Sequence, residues 1–424
     1  MYLFFVRQFN DIDHITPIVW KMNCDGYPVG VFCLNPAYNL QSDYRLSFLR
    51  NSGVKVSYVY DEMMHMLGIR HRALRFLSKF CYAASTKFNS SSPGIFSLLR
   101  YTAHRQAYKL GKKLFNHTKS AFYNYTWALS LLERNSAQAL CFDHINPGRH
   151  VVGVLLDAAK TLSVPALALP HGVFIYTNKH VRAGSTQESR FDKFNRFDYV
   201  VTQNDLRKEV LARAGVKREK LHVLGSARYA DEWMTQNKSI LPRENDPTLA
   251  DSTGLKIVFM TTRFSYNIDV DRMLKTFDLL ARFDHLHVVV KPHTRSGSEA
   301  KIYDNLSVSN VSNLSSVELC EWADVVLVIG SSILIEPLKL NKPVLYLKYL
   351  HDNTTQYEEM GACWTIHDEK ELVGALESLI KDPQKVPYTK ESIDAFLSEI
   401  VYGVGGKKDV LKVYEQFIVN HSIA

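Results

Sequence analysis

Short apolar runs alternate with helix-patterned stretches twice along this chain, and a polar segment without periodicity separates the two series. Continuous apolar runs describe strands buried on both faces, and helices between them describe crossover connections, so the pattern predicts parallel sheets wound with helices. The first series runs YLFFV, a helix near His14 to Met22, PVGVFCL, a helix near Tyr44 to Arg50, then VKVSYVY. Residues about 63–134 read as long helices, after which ALCF, PALAL, DYVVT and LHVLG resume the strand pattern. The second series is KIVFMTT, a helix near Val270 to Arg282, LHVVVKPH, DVVLVIG, a helix from Ser332 to Leu340 and KPVLYL, followed by helices near Lys370 to Leu379 and Val410 to Val419. A chain of 424 residues exceeds what one core usually supports. The expected organisation is therefore α/β, with two Rossmann-like doubly wound domains and a cleft between them. The first spans 1–236 with the helical stretch as an insertion, the linker 237–254, and the second domain 255–424.

Hydrophobic residues make up 46% and charged residues 22% of the chain, a balance that excludes disordered and fibrous classes. The longest apolar runs, such as Val325 to Ile329 and Pro165 to Leu169, fall short of the ~20 residues that span a bilayer, so no transmembrane helix is expected. The opening MYLFFVRQF has no preceding basic region and no small-residue cleavage site; it reads as a buried strand, and a cytoplasmic location is expected. Cys24, Cys33, Cys81, Cys141, Cys320 and Cys363 form no CxxC pair, which points to buried thiols instead of a disulfide framework or a zinc site. A formal charge of +8 suits phosphorylated or anionic partners, but without a Lys/Arg block or zinc-finger spacing nucleic acid is not expected.

Ligands of open parallel sheets bind beyond the carboxyl ends of the strands, so the polar residues after each apolar run are the candidate site. Gly330, Ser331 and Ser332 follow DVVLVI and open a helix, where backbone N–H groups and hydroxyls suit a phosphate; Glu336, one turn on, could accept hydrogen bonds from ribose. An N-cap followed by a glutamate on a buried face is the plainer alternative. Thr261, Thr262 and Arg263 follow KIVFM, and Lys291, His293 and Arg295 follow LHVVV, positions that suit a mono- or diphosphate unless they form ordinary surface clusters. In the first domain His171 and Gly172 follow PALALP; an imidazole titrating near neutrality suits removal of a proton from an acceptor hydroxyl, or it fixes its turn. Arg228 could pair with a ligand anion, while Asp231 and Glu232 are candidate base or nucleophile, or acidic residues favoured by a helix N-terminus. Arg7, Asn10, Asp11, Asp13 and His14 form a polar segment after the first strand, with Asp13 alternatively capping a helix that begins at His14. Asp143, His144, Asn146 and Arg149 follow ALCF; the Asp and His of these two segments lack metal-ligand spacing, and no metal is expected.

The run GSSILIEPLKLNKPVL resembles the donor-site motif of the GT-B superfamily, which includes UDP-N-acetylglucosamine 2-epimerases, CDP-glycerol glycerophosphotransferases and capsular Kdo transferases. The resemblance covers roughly the last 170 residues, and it implies that Ser331 and Ser332 contact donor phosphates and that Glu336 holds the ribose. VVVKPHTR resembles the Lys-x-His-Pro segment of the glycerophosphotransferases and Kdo transferases, with Thr294 where they carry proline. PHG resembles the His-Gly motif of the glycerophosphotransferases, whose Lys a few residues on is not matched, Lys179 lying farther along. GSARYADEW resembles a stretch at the end of the first domain in surface-polysaccharide transferases.

The implied activity is a GT-B glycosyltransferase moving a sugar, Kdo from CMP-Kdo among the candidates, from a nucleotide donor to a cell-surface polysaccharide. Transfer of a CDP-glycerol-type polyol phosphate and sugar-nucleotide epimerisation are the alternatives. The donor would be a pyrimidine nucleotide bound by the second domain and the acceptor a glycan or lipid-linked glycan bound by the first, with no further cofactor. Catalysis would rest on His171 as base or on Asp231 as nucleophile, with Glu232 and Asp143 as further carboxylates. Basic residues interleaved with Leu, Phe and Tyr in the insertion, from Arg70, Arg72, Arg75 and Lys79 to Arg100, Arg105, Lys109, Lys112 and Lys113, suit peripheral contact with an anionic membrane surface.

Overall fold

The computed structural model describes residues 1–62, 64, 68–89, 97–178, 190–243, 246–249, 254–293, 302–304, 306–403, 406 and 409–423. Two parallel sheets form two α/β domains. The first has seven strands, β1 (Tyr2–Val6), β2 (Val29–Cys33), β3 (Lys55–Tyr58), β4 (Ala139–Asp143), β5 (Ala166–Leu169), β6 (Tyr199–Thr202) and β7 (Leu221–Val223), in the order β3-β2-β1-β4-β5-β6-β7. The second has six, β8 (Leu255–Met260), β9 (Leu286–Lys291), β10 (Ser309–Asn310), β11 (Val325–Val328), β12 (Val344–Leu347) and β13 (Trp364–Ile366), in the order β10-β9-β8-β11-β12-β13. The central strands are buried along their whole length, as expected where helices cover both faces of a sheet. Leu3 and Phe5 face one core layer and Tyr2, Phe4 and Val6 the other. The chain reverses direction of winding between β1 and β4 and again between β8 and β11, which creates a switch-point crevice at each sheet. The short strands β10 and β13 were not foreseen, because two or three residues carry no periodicity.

Three segments differ from expectation. The first helix runs Phe9–Cys24, beginning five residues before His14, so Asp11 and Asp13 lie inside it and Asp13 is not its cap. Both are buried because arginines from elsewhere neutralise them, which is why a polar stretch can continue a helix there. The helix Asp231–Ile240 continues into the segment read as linker. The last helix, Val410–Asn420, crosses back to the first domain, where Val410, Leu411, Tyr414 and Ile418 pack with Ile12, Ile15 and Trp233 and the Tyr414 hydroxyl donates to Gly225 O at 2.9 Å.

The insertion is a pair of packed helices, Ile69–Asn89 and Ser97–Phe122, followed by Tyr125–Arg134. Gly111 permits the pair to close, since a Cβ there would stand 3.2 Å from Cys81 Cβ and Tyr82. Arg75 does not share the outward basic face: it is buried with its guanidinium 3.4 Å from the Tyr60 ring centroid. Among the described residues no helix is long and apolar enough to cross a membrane. The six cysteines are free thiols, four of them buried and Cys24 exposed.

Candidate functional site

The carboxyl ends of both sheets open onto one cavity of about 950 Å³ between the domains, within the ~300–1,000 Å³ usual for small-molecule sites. The first domain contributes Asn10, His14, His144, the 171–178 segment, Arg207 and Arg228; the second contributes Thr261, Thr262, Tyr266, the Lys291–Pro292–His293 strand end and the Gly330–Ile333 turn. The domains are tied at its rim by the Tyr229 hydroxyl donating to Ser332 O at 3.0 Å, by Lys339 Nζ donating to Tyr229 O at 2.5 Å and by Tyr176 donating to Gly330 O. Gly330 needs its glycine: φ is +52°, and a Cβ would meet the Tyr176 hydroxyl at 3.1 Å and His351 Cε1 at 3.2 Å.

At the first switch point, Arg7 from the end of β1 grips Asp143 at the end of β4 with two guanidinium nitrogens, Nε donating to Oδ1 at 3.1 Å. The Arg7 backbone N–H donates to Asp11 Oδ2 at 2.9 Å, and Arg7 Nε is 3.4 Å from the same oxygen. Two buried acids thus share one base. Burial, then the charge of Asp11, holds the Asp143 carboxyl well above the usual carboxylate range against the pull of Arg7, and burial raises Asp11 as well. His171, on the turn after β5, brings Nδ1 to 3.8 Å from Asp143 Oδ2. Donor atoms of Asp11, Asp143 and His171 all lie within 4.8 Å of one another, with the Arg7 guanidinium on both carboxylates. His144 is half-buried beside this cluster, its Nε2 donating to Val201 O at 2.8 Å; desolvation and neighbouring cationic groups push its pKa far down, which keeps it neutral.

A second network lies behind the cavity wall. Arg228 Nη1 contacts Asp13 Oδ2 at 2.5 Å, and Arg45 Nη1 donates to Asp13 Oδ1 at 2.7 Å while its Nη2 donates to Asp43 at 2.8 Å. Burial opposes ionisation of Asp13, but Arg228 and Arg45 outweigh it and hold its pKa below the usual value. His14, beside them, is pushed down to about 3 by burial and by Arg228. Glu336 is buried on the short helix Ile335–Lys339, and burial raises its pKa to about 7 against the attraction of Arg228.

On the second-domain wall Lys291 Nζ donates to Ser312 O at 2.6 Å, and burial lowers its pKa to about 8. Ser331 caps the following 3₁₀ turn, its Oγ accepting from Ile333 N at 3.3 Å, so that hydroxyl is engaged with the backbone. Of the residues nominated from sequence, Asn10, His171, Arg228, Thr262, Lys291, His293, Gly330, Ser331 and Ser332 line the cavity, while Arg7, Asp11, Asp13, Asp143 and Glu336 stand behind the wall. Arg263 is not among the lining residues, and Arg295 lies outside the described residues. Asp231 and Glu232 are not brought to the cavity. Asp231 opens its helix with its side chain 55% exposed, paired with Lys339, and Glu232 Oε2 is 3.8 Å from Lys21 Nζ. Sequence reading missed Tyr176, Tyr266 and Arg207; the polar Gln203-Asn204-Asp205 after β6 was the available signal for the last.

No family model and no curated protein matches the chain. Among solved structures, the UDP-GlcNAc 2-epimerase of Methanocaldococcus jannaschii in complex with UDP-GlcNAc and UDP is similar over 99% of both chains, with a TM-score of 0.53 and 13% identity. The fold is GT-B. The UDP-GlcNAc 2-epimerase of Neisseria meningitidis bound to UDP-GlcNAc gives the same coverage, TM-score and identity. The wall teichoic acid polymerase TagF is similar over 99% of this chain and 88% of its own, at a TM-score of 0.50 and 15% identity. At these identities the likeness extends to the GT-B architecture and does not single out the Kdo transferases.

Proposed function

We propose that the chain is an enzyme acting on a nucleotide-activated sugar held in the interdomain cavity. The charge of the cavity wall carries this reading: Lys291 lines its second-domain side and Arg207, Arg213 and Arg228 its first-domain side, together with His14 and His144 as neutral imidazoles, and no Asp or Glu does among the described residues. Such a wall favours an anion and stabilises phosphate charge as a nucleotide departs. The diphosphate of a pyrimidine nucleotide would lie against Thr262, Lys291, His293 and the Gly330–Ser332 turn, with no cofactor beyond it. The sugar would then face His171 and the cluster behind it.

Epimerisation at a sugar carbon is the first chemistry we put forward. It needs one group to remove a proton and another to return one; His171 on the cavity wall, with the Asp143 carboxyl 3.8 Å behind it and held above the usual carboxylate range by burial, would relay protons for both steps. Full-length likeness to two UDP-GlcNAc 2-epimerases supports it. The exposed setting of His171 on its turn favours a second reading, in which it is the base for transfer of a sugar or polyol phosphate to a glycan acceptor. Proton NMR of UDP-GlcNAc incubated with the protein in D₂O separates the two. Epimerisation places deuterium on the sugar without any acceptor, whereas transfer releases nucleotide only when a glycan is added. Calorimetry that finds no binding of UDP, CDP or CMP would sink both.

The insertion supports peripheral contact with an anionic membrane. Ile69, Phe76 and Phe80 are 86%, 70% and 67% exposed on one helix beside Arg70 and Arg72, and Tyr101, Tyr108 and Leu110 are exposed on the next beside Arg105, Lys109 and Lys112. Apolar side chains ringed by cations suit the headgroup boundary of such a leaflet.

A further inference from the structure

We infer that Arg207 forms a separate anion subsite on the first-domain wall of the cavity, one that takes a carboxylate or phosphate carried by the sugar or by an acceptor. The inference rests on the reading above, in which the nucleotide occupies the second-domain wall. Arg207 stands in the first turn of the helix Asp205–Arg213, directly after β6. Asn204 caps that helix, accepting from Arg207 N at 2.8 Å, and its amide donates to Phe174 O at 3.0 Å, while Gln203 donates to Gly172 O. The segment that follows His171 is thereby clamped onto the helix start. The clamp sets the Phe174 ring 5.1 Å from the Arg207 guanidinium carbon, and the Phe191 ring lies 5.3 Å from it. Two rings fix the side chain and supply no formal charge.

Other buried or half-buried cations around the cavity have partners of their own: Arg7 has Asp143, Arg228 has Asp13 and Lys291 has Ser312 O. Among the described residues Arg207 has no carboxylate within ion-pair distance, and no hydrogen bond from its guanidinium is found. Burial lowers its pKa to about 10, so it keeps its charge at neutral pH and carries the cost of doing so. His144 beside it is neutral and spends Nε2 on Val201 O, so it offers no counter-charge. A desolvated guanidinium open to a cavity and lacking an acid is matched when a ligand supplies the anion.

The test is calorimetric titration of the full chain with sn-glycerol 3-phosphate and with glucuronate, each with and without saturating UDP. At least one should bind the wild type, and which one does tells phosphate from carboxylate. Arg207→Gln should weaken that binding by about tenfold or more, leaving UDP affinity within about threefold. In the wild type the binding anion should also protect Arg207 from phenylglyoxal, read by peptide mass spectrometry, which needs no variant to fold. Failure of both anions to bind or protect overturns the subsite. A tenfold-scale loss of UDP affinity in Arg207→Gln also overturns it, by assigning the residue to the nucleotide. If UDP does not bind but an anion still protects Arg207, the nucleotide reading fails and the subsite stands.

Discussion

Glu336 allows the electrostatics of the second domain to be tested without knowing the substrate. The folded chain holds this carboxyl at about 7, chiefly through burial, against an ordinary value of 4.5. A raised acid pKa means that the native state binds more protons than the unfolded one. The stability contributed is therefore complete below about pH 4.5, falls as pH rises and is lost above about pH 7. At about 1.4 kcal/mol per pH unit, the interval corresponds to about 3 kcal/mol. Glu336→Gln cannot titrate, so its stability relative to wild type should rise by about 3 kcal/mol between about pH 4 and pH 8. Urea unfolding followed by tryptophan fluorescence at a series of pH values measures this, and taking the wild-type minus variant difference cancels distant titrating groups. A difference that stays flat across that range refutes a buried, proton-binding Glu336. The same variant tests the ribose role: a carboxylate that meets the nucleotide should lose UDP affinity by about ten- to a hundredfold on substitution, and unchanged affinity would confine Glu336 to the Arg228 network.

His171→Asn should lower turnover by about a hundredfold or more while leaving nucleotide affinity unchanged, and full activity in a folded variant would remove His171 from the chemistry. Asp231→Asn, at an exposed pair, should cost ~0–1 kcal/mol of stability and leave turnover near wild type; an inactive Asp231→Asn with a trapped sugar adduct would restore it as a nucleophile. Gly330→Ala should destabilise the domain contact by about 1–2 kcal/mol and weaken UDP binding, because a side chain at φ +52° is strained and meets Tyr176; an unshifted melting temperature would contradict this. Vesicles containing phosphatidylserine should sediment the protein at low salt and release it at high salt, and Phe76→Ser with Phe80→Ser should abolish sedimentation; no sedimentation at low salt would exclude the membrane contact.

The architecture was legible because buried parallel strands leave short apolar runs such as VVLV and LFFV that alternate with helix-patterned stretches, and because switch-point chemistry follows those runs directly. That rule led to Asp143, His171, Lys291 and the Gly330 turn from sequence alone. It did not reveal which charges the acids pair with. Asp11, Asp13 and Asp143 were nominated as ligand or catalytic groups, yet each is matched to an arginine: Arg7 four residues before Asp11 and 136 before Asp143, Arg45 32 residues after Asp13, and Arg228 far beyond. Apart from Arg7 with Asp11, partnerships across such separations leave no local pattern. Their consequence for the cavity is that acids held behind the wall leave its surface to Arg228, Lys291, Arg207 and the histidines. Asp13 holds Arg228 by an ion pair, and Arg7 keeps Asp143 in place while burial, then the charge of Asp11, raises its pKa. Asp231, the acid best placed by sequence to be a nucleophile, differs from these in its setting: it is paired with Lys339 in contact with solvent, and it is not among the residues lining the cavity.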